Sequence, residues 1–440
     1  MALGGGTWVT PNKALPGSYI NFVSVARASA ALSDRGVVTV PLQLPWGPEN
    51  AVMTVNSGDV LKNSGKLFGL DYANDSMTPI KEIFLHARLA YFYRLNSGGV
   101  KASNTFADAL YSGSAGNDIT VLVAANEAST TETPVYDVTT LFNGAEVDVQ
   151  TGIVTMADLI ANDYVTWKSG ATLAVNAGLP MTGGTDGTVT ASAYQNYLAA
   201  MEEYSFNVMG VATADDDVKA LVVAYTKRMR DEMGIKFQAV LFRTDANYEG
   251  VISVDNGFTD AADDPSLVYW VAGAEAGCNV NASLLNTIYD GVYKNRISTA
   301  YTQEQLIAAI QAGKFVFHRV GTDIRVLEDI NTLREFSPEK SQDFSKNQTI
   351  RVIDQIGNDI ATLFNTRYLG KVPNDDAGRI SLWSDIVAHH TQLLRIRAIQ
   401  DFTSEDVLVE AGETKDSVMV TDNISPVNAL AKLYMTVYVA

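Results

Sequence analysis

Between Gly98 and about Gly187 the chain changes chemistry, and that change limits what the whole can become. Thr, Val, Gly, Asn and Asp dominate there, in short runs such as Ile119–Val123, Val135–Thr139 and Gly152–Val154. Turn pairs, including Asn143-Gly144 and Gly183-Gly184, separate them. The pattern predicts an antiparallel β-sandwich or small barrel, inserted as a self-contained module. The flanking chain must fold around it, and 440 residues allow about three domains.

The flanks read differently. Residues 1–18 are Gly- and Pro-rich, with Trp8 a lone aromatic, and resemble an arm without a core. Strands are expected at Ser18–Ala26, Gly36–Leu44 and Ala90–Leu95, with helices around Val60–Phe68 and Met77–Arg88. From 190 to 335 helix and strand alternate. Helices are expected at Ala191–Tyr204, after Asp215-Asp216-Asp217 and at Gln303–Ala312. Strands are expected at Phe206–Gly210, Phe237–Phe242, Leu267–Trp270, Phe315–Arg319 and Ile324–Leu327, which predicts a largely parallel α/β layer. Beyond Phe336, Gln348–Phe364 and Ile380–Gln400 carry helical spacing, and Val407–Glu410 and Ser417–Thr421 read as short strands. The sequence ends in Leu433–Val439, seven residues of strong β propensity.

Little in this chain points to catalysis. There is no phosphate-binding glycine loop, no H-E-x-x-H and no G-x-S-x-G, and Gly65-Lys66 reads as a turn. His86 and His318 lie in apolar segments as satisfied histidines, and the adjacent His389 and His390 diverge on a helix, unlike an i,i+4 metal pair. Asp215–Asp217 read as a helix cap, and Asp260, Asp263 and Asp264 lack EF-hand spacing. Cys278, the single cysteine, excludes internal disulfides and reads as a core residue. No catalytic residue, cofactor or metal is expected. With 32 basic against 50 acidic side chains, the net charge of −18 argues against direct nucleic-acid binding. Nearly all that surplus lies in residues 101–339, so the two ends together are almost neutral. No apolar run reaches the length of a membrane span, and the start lacks an export signal, so folding in a cytoplasm is expected.

The terminal strand needs a partner. Leu433, Met435, Val437 and Val439 form an aliphatic face, and neither charge nor proline interrupts the row of backbone groups. Either it closes its own domain or it is donated to a neighbour. Here several motifs matter together: Pro16-Gly17-Ser18-Tyr19-Ile20-Asn21-Phe22, Asp34-Arg35-Gly36 and Pro45-Trp46-Gly47-Pro48 near the start. Tyr111–Ile119, Val271–Gly277, Ser283–Gly291 and Ile424–Val437 continue the series. In this order they resemble the contractile tail sheath proteins of bacteriophages and phage-tail-like bacteriocins, closest to the defective-prophage type of Gram-positive hosts.

The resemblance implies a multidomain α/β and α+β chain. It divides into an amino-terminal arm (1–30), a core domain from both ends (31–98 and 339–424), an inserted β-sandwich (99–188), a subtilisin-like α/β domain (189–338) without a working triad, and a carboxy-terminal arm (425–440). Tyr19, Ile20, Phe22 and Val23 in one arm, and Leu433, Met435, Val437 and Val439 in the other, would exchange strands between copies. Implied partners are further copies in stacked hexameric rings, an inner tail tube protein, and baseplate and tail terminator proteins, with no nucleic acid and no membrane insertion. The particle, a virion tail or phage-tail-like assembly, would be built in the host bacterial cytoplasm. Residues 340–400 carry a small positive excess, and Lys346, Arg351, Arg367, Lys371 and Arg379 are candidates for facing an acidic tube. Rival readings are an α/β hydrolase and a surface adhesin.

Overall fold

The computed structural model describes residues 32–439. They form two compact units: residues 33–358 with 396–400 and 425–439, and Leu32 with 359–395 and 401–424.

The larger unit opens with β1 (Val37–Leu42), β2 (Val52–Asn56), α1 (Ser57–Phe68), α2 (Thr78–Phe84) and β3 (Leu89–Arg94). Helix α1 stops at Gly69, whose φ of 66° lets its N–H reach the Gly65 carbonyl. The inserted segment then supplies β4 (Asn96–Ser97), β5 (Lys101–Ser103), β6 (Ala107–Ser112), β7 (Ile119–Ala125), β8 (Tyr136–Phe142), β9 (Ala145–Ile153), β10 (Val165–Trp167), β11 (Asn176–Pro180) and β12 (Thr188–Val189). Its two antiparallel sheets run β10-β6-β5 and β11-β7-β8-β9. Ile119, Val121 and Val123 point inward on β7, and Val138, Thr140 and Phe142 do so on β8, the period-two pattern of a half-buried strand. Asn143 (φ 50°) and Gly144 (φ 76°) make the tight β8–β9 turn. Pairing of β4 with β12 brings the insertion's two ends side by side.

The α/β segment follows as α3 (Ala193–Met201), β13 (Val208–Val211), α4 (Asp216–Lys227), β14 (Gln238–Phe242), β15 (Val251–Val254), α5 (Leu267–Gly277), α6 (Gln303–Gln311), β16 (Lys314–Phe315), β17 (Phe317–Val320) and β18 (Asp323–Val326). Asp215 caps α4 by accepting from the backbone N–H groups of Asp217 and Val218, as its position foretold. The principal sheet is ordered β16-β15-β14-β13-β1-β3-β2, parallel except for β2. The larger unit holds 33–98 together with 339–358 and 396–400 of the chain's far end. Strands β1–β3 share a sheet with β13–β16, because β1 pairs with β13.

Both faces of this sheet are buried, so its strands read as continuous apolar runs. Val38, Val40, Phe92, Val240 and Phe242 meet α2 and α5 on one side. Met209, Val211, Ala239 and Leu241 share the opposite core with residues of α3 and α4. Two expectations fail for the same reason. Leu267–Trp270 is the start of helix α5, not a strand, and β15 was not foreseen. Complete burial removes the polar face that reveals periodicity.

Gly273 sets the approach of α5 to α2: a Cβ there would stand 2.4 Å from the Ile83 carbonyl oxygen. Gly273→Ala should therefore force two helices apart and cost about 1–3 kcal/mol by overpacking. A lower urea midpoint for the larger unit, with unchanged far-ultraviolet dichroism at zero denaturant, is the expected result.

The chain continues through α7 (Asn347–Leu363), α8 (Asp376–Arg395), β19 (Ile399–Gln400), β20 (Val407–Ala411), β21 (Val418–Asp422) and β22 (Ser425–Pro426). The division between units falls within α7, at Asn358 and Asp359. In the smaller unit, Leu363, Tyr368, Leu382, Ile386 and Val407 form a separate core. Tyr19, Ile20, Phe22 and Val23, and the strand expected at Ser18–Ala26, lie outside the described residues.

Candidate assembly site at the carboxy-terminal arm

The last described segment is fastened at its root and bare beyond it. β22 pairs antiparallel with β19, and the Val427 N–H donates to the Ala398 carbonyl at 2.9 Å. Two buried side chains of α7 complete the anchor. Gln348 Oε1 accepts from the Ala429 N–H at 2.9 Å, and Thr349 Oγ1 donates to Asn428 Oδ1 at 3.1 Å. From Leu430 onward no hydrogen bond forms among the described residues, and the segment joins no ladder. Leu433 is 85% exposed, Met435 74%, Val437 68% and Val439 93%, with Tyr434 and Tyr438 nearly bare between them. A lone extended segment has no partner for its backbone groups, so the expected strand is absent from a single copy.

The smaller unit carries a matching deficit. Ribbon β20–β21 has only two strands, so both outer edges lack ladder partners among the described residues. Leu408, Met419 and Val420 stand exposed on it. Open edges beside apolar side chains are the surface that an added strand completes.

The helix that anchors the arm is locked by buried charge. Arg351, on α7, is 2% exposed and pairs with Glu275 of α5 and, at 2.7 Å, with Asp329. Asn347 Nδ2 donates to both carboxylates, at 3.1 and 2.9 Å, and Ser283 Oγ and the Leu284 N–H donate to Asp329. Nearby, Arg230 holds Asp354 through two bonds of 2.6 and 2.8 Å. The two carboxylates diverge. Burial, then the neighbouring Asp329, push Glu275 well above the usual carboxylate range against the pull of Arg351. Burial also pushes Asp329 upward, but Arg351 and the surrounding donors outweigh it and hold it below that range. One guanidinium thus holds two carboxyl groups whose affinities for a proton are pushed in opposite directions.

This overturns one sequence expectation. Arg351 cannot present its charge to a tube because it is consumed inside the molecule. Periodicity and charge counts do not reveal it; its only sequence signal is a cation on the apolar stripe of α7. The other four candidates are separate surface groups. Lys346 pairs with Glu328, Arg367 with Asp385 and Arg379 with Asp376. Lys371 is exposed, and among the described residues its ammonium bonds only the Thr366 carbonyl, at 2.6 Å.

Most of the remaining singled-out groups have structural partners, and His318 sits in strand β17, paired with Arg325 of β18. His86 lies 3.1 Å from Asp290 and is only half-buried. His389 and His390 are fully buried, and their Nδ1 atoms lie 3.1 Å apart despite the expected divergence, each Nε2 facing a carboxylate, Asp359 or Asp422. Asp260 pairs with Arg296, and Asp263 with Arg243. Burial raises the Cys278 thiol to about 11, which keeps it protonated at neutral pH. Among the described residues no cluster of His, Cys, Asp and Glu could hold a metal, and no helix is long and apolar enough to cross a membrane.

Comparison with known proteins matches most of the chain, in four successive parts. Family models match for the Gp18 tail sheath domain III amino-terminal region at 35–95, the phage tail sheath β-sandwich domain at 97–186, the central domain at 187–332 and the carboxy-terminal domain at 339–440. The chain is 31% identical to the phage-like element PBSX protein XkdK of Bacillus subtilis over 476 residues, covering 99% of this chain and 100% of that protein. The crystal structure of a sheath tail protein from Desulfitobacterium hafniense is 36% identical, with a TM-score of 0.79 over 95% of this chain and 99% of that one. A sheath tail protein from Listeria innocua is 31% identical, with a TM-score of 0.79 over 91% and 94%.

Proposed function

The chain belongs to the phage tail sheath protein family, a structural family rather than an enzymatic one, and on that premise we propose that its copies polymerise by exchanging strands. The hydrolase and adhesin readings give way to that membership. In the proposed assembly, subunits stack as hexameric rings around an inner tube, between a baseplate and a tail terminator, and are put together in a bacterial cytoplasm. Each copy's Leu430–Val439 segment adds to an open ribbon edge of another copy. Amino-terminal residues Tyr19, Ile20, Phe22 and Val23 add a second strand, and residues 189–338 take a subtilisin-like layout.

The observation that carries this reading is an arm rooted through Val427–Ala429 and, beyond that root, without a hydrogen-bond partner among the described residues. A head-to-tail contact of that kind does not close on itself and generates a helical filament. Contraction follows if the extended lattice is a kinetic trap, released by a baseplate signal, in which bodies rotate while paired arms act as hinges. No nucleotide is then required. Electron microscopy of the purified full chain should show long tubes striated by stacked rings; discrete particles at every concentration would refute the proposal.

The tube must be held weakly enough to slide. Among the tube-facing candidates Lys346, Arg367, Lys371 and Arg379, Lys371 alone lacks a carboxylate partner among the described residues. Lys371→Glu should slow tube-templated polymerisation several-fold at low salt and have little effect at high salt. Its thermal midpoint should match the parent's, since an exposed charge supports little stability. Equal polymerisation rates at low salt would remove Lys371 from the contact.

A further inference from the structure

A small cavity of about 20 Å³ lies where the Arg351–Asn358 face of α7 covers the sheet's edge at the start of its parallel strands. Arg35 precedes β1 there, Asn207 precedes β13 and Lys236 precedes β14. Three cationic side chains line it, Arg35, Lys236 and Arg351, against one carboxylate, Asp354.

The charges do not balance locally. Both oxygens of Asp354 accept from Arg230. Arg351 commits its terminal nitrogens to Glu275, Asp329 and the Ala282 carbonyl, leaving a buried Nε without a hydrogen-bond partner. Arg35 donates only to the carbonyl oxygens of Cys278 and Glu275, at 3.0 and 3.2 Å. Lys236 Nζ donates to the Arg230 carbonyl. Neither Arg35 nor Lys236 reaches a described carboxylate, and residues 1–31 contain no Asp or Glu that could supply one.

We infer that this cavity is a binding site for one monatomic anion, a halide. Arg35 and Lys236, half-buried beside the cavity with no described carboxylate in contact, favour an anion between them, because partly desolvated charges are screened less than in water. Size selects the ligand, since this volume takes one water-sized particle and excludes phosphate, sulfate or a carboxylate side chain. A bound halide ties the starts of β1 and β14 to α7, the helix that also roots the arm.

The probes are chloride and bromide. Thermal unfolding of the full chain is followed in sodium chloride and in sodium gluconate at one ionic strength, and crystals are soaked in sodium bromide. The expected results are a midpoint about 1–2 °C higher in chloride and an anomalous bromine peak between Arg35, Lys236 and Arg351. Lys236→Met should retain the fold and lose both signals. General salt effects act on parent and variant alike, so only the difference between them counts. Equal chloride shifts in parent and variant, a water without anomalous signal in the cavity, or bromide there with no thermal effect (an adventitious ion only) would each overturn the assignment.

Discussion

Removal of residues 430–440 is expected to abolish tube formation while leaving a folded subunit with an unchanged thermal midpoint. The deletion spares the anchor, because the bonds of Val427 and Ala429 to Ala398 and Gln348 lie before it. It also removes no core, since Leu430, Leu433, Tyr434, Met435, Val437, Tyr438 and Val439 are all at least 68% exposed. What should disappear is the proposed pairing between copies. About five ladder bonds at roughly 0.5–1.5 kcal/mol each contribute a few kcal/mol. Covering Leu433, Met435, Val437 and Val439 adds on the order of 1.5–3 kcal/mol per fully buried side chain. Ordering a free segment offsets part of this gain. A net loss of about 4 kcal/mol per arm would raise the concentration needed for polymerisation by about a thousandfold. Sedimentation across a concentration series reads that shift. Val437→Pro, which deletes one N–H and one ladder position, should fall between the parent and the truncation. Tubes of ordinary length from the truncated chain would show that assembly does not depend on the arm.

Arg351→Met should be the most destabilising single change considered, costing about 3–5 kcal/mol, because it leaves Asp329 charged, buried and without its counter-ion. The two carboxylates should then behave unequally. Asp329→Asn should approach the cost of Arg351→Met, whereas Glu275→Gln should cost far less, because Glu275 is raised toward its neutral form and an amide resembles it. Urea unfolding of the three variants separates these outcomes, and equal losses for the two carboxylates would contradict the assignment.

The pH dependence has a sign for each group. Asp329 is depressed in the fold, so its contribution is present above an unfolded value of about 3.9 and is lost as pH falls through the folded value. Glu275 is raised, so its contribution is present below about 4.3 and is lost as pH climbs through the folded value. Glu275→Gln should therefore gain on the parent as pH rises from 4 toward neutrality.

Much of the fold was legible where an element met water on one side. The β7 alternation, the Asn143-Gly144 turn and the Asp215 cap are local signals read by local rules. Helix α5 was misread because it is buried all round, and Gly273 serves an approach to Ile83 that neighbouring residues do not announce. The uncovered apolar segment at Leu433–Val439 was also visible, since the absence of charge and proline is a property of the segment itself. Its root on Gln348 and Thr349 was not, because those residues lie about eighty positions earlier.

The sequence by itself therefore determined the inserted sandwich, the layered α/β character and the uninterrupted apolar run of the last segment, all set by patterns within a few residues. Only tertiary structure decided that β1 lies beside β13, which joins the first strands of the chain to β13–β16 in one sheet. It alone also turned Arg351 from a surface cation into the buried counter-ion of Glu275 and Asp329. The physical reason is common to both. Every strand offers the same backbone donors and acceptors, and every arginine the same charge, so which partner each meets depends on the packing of distant segments.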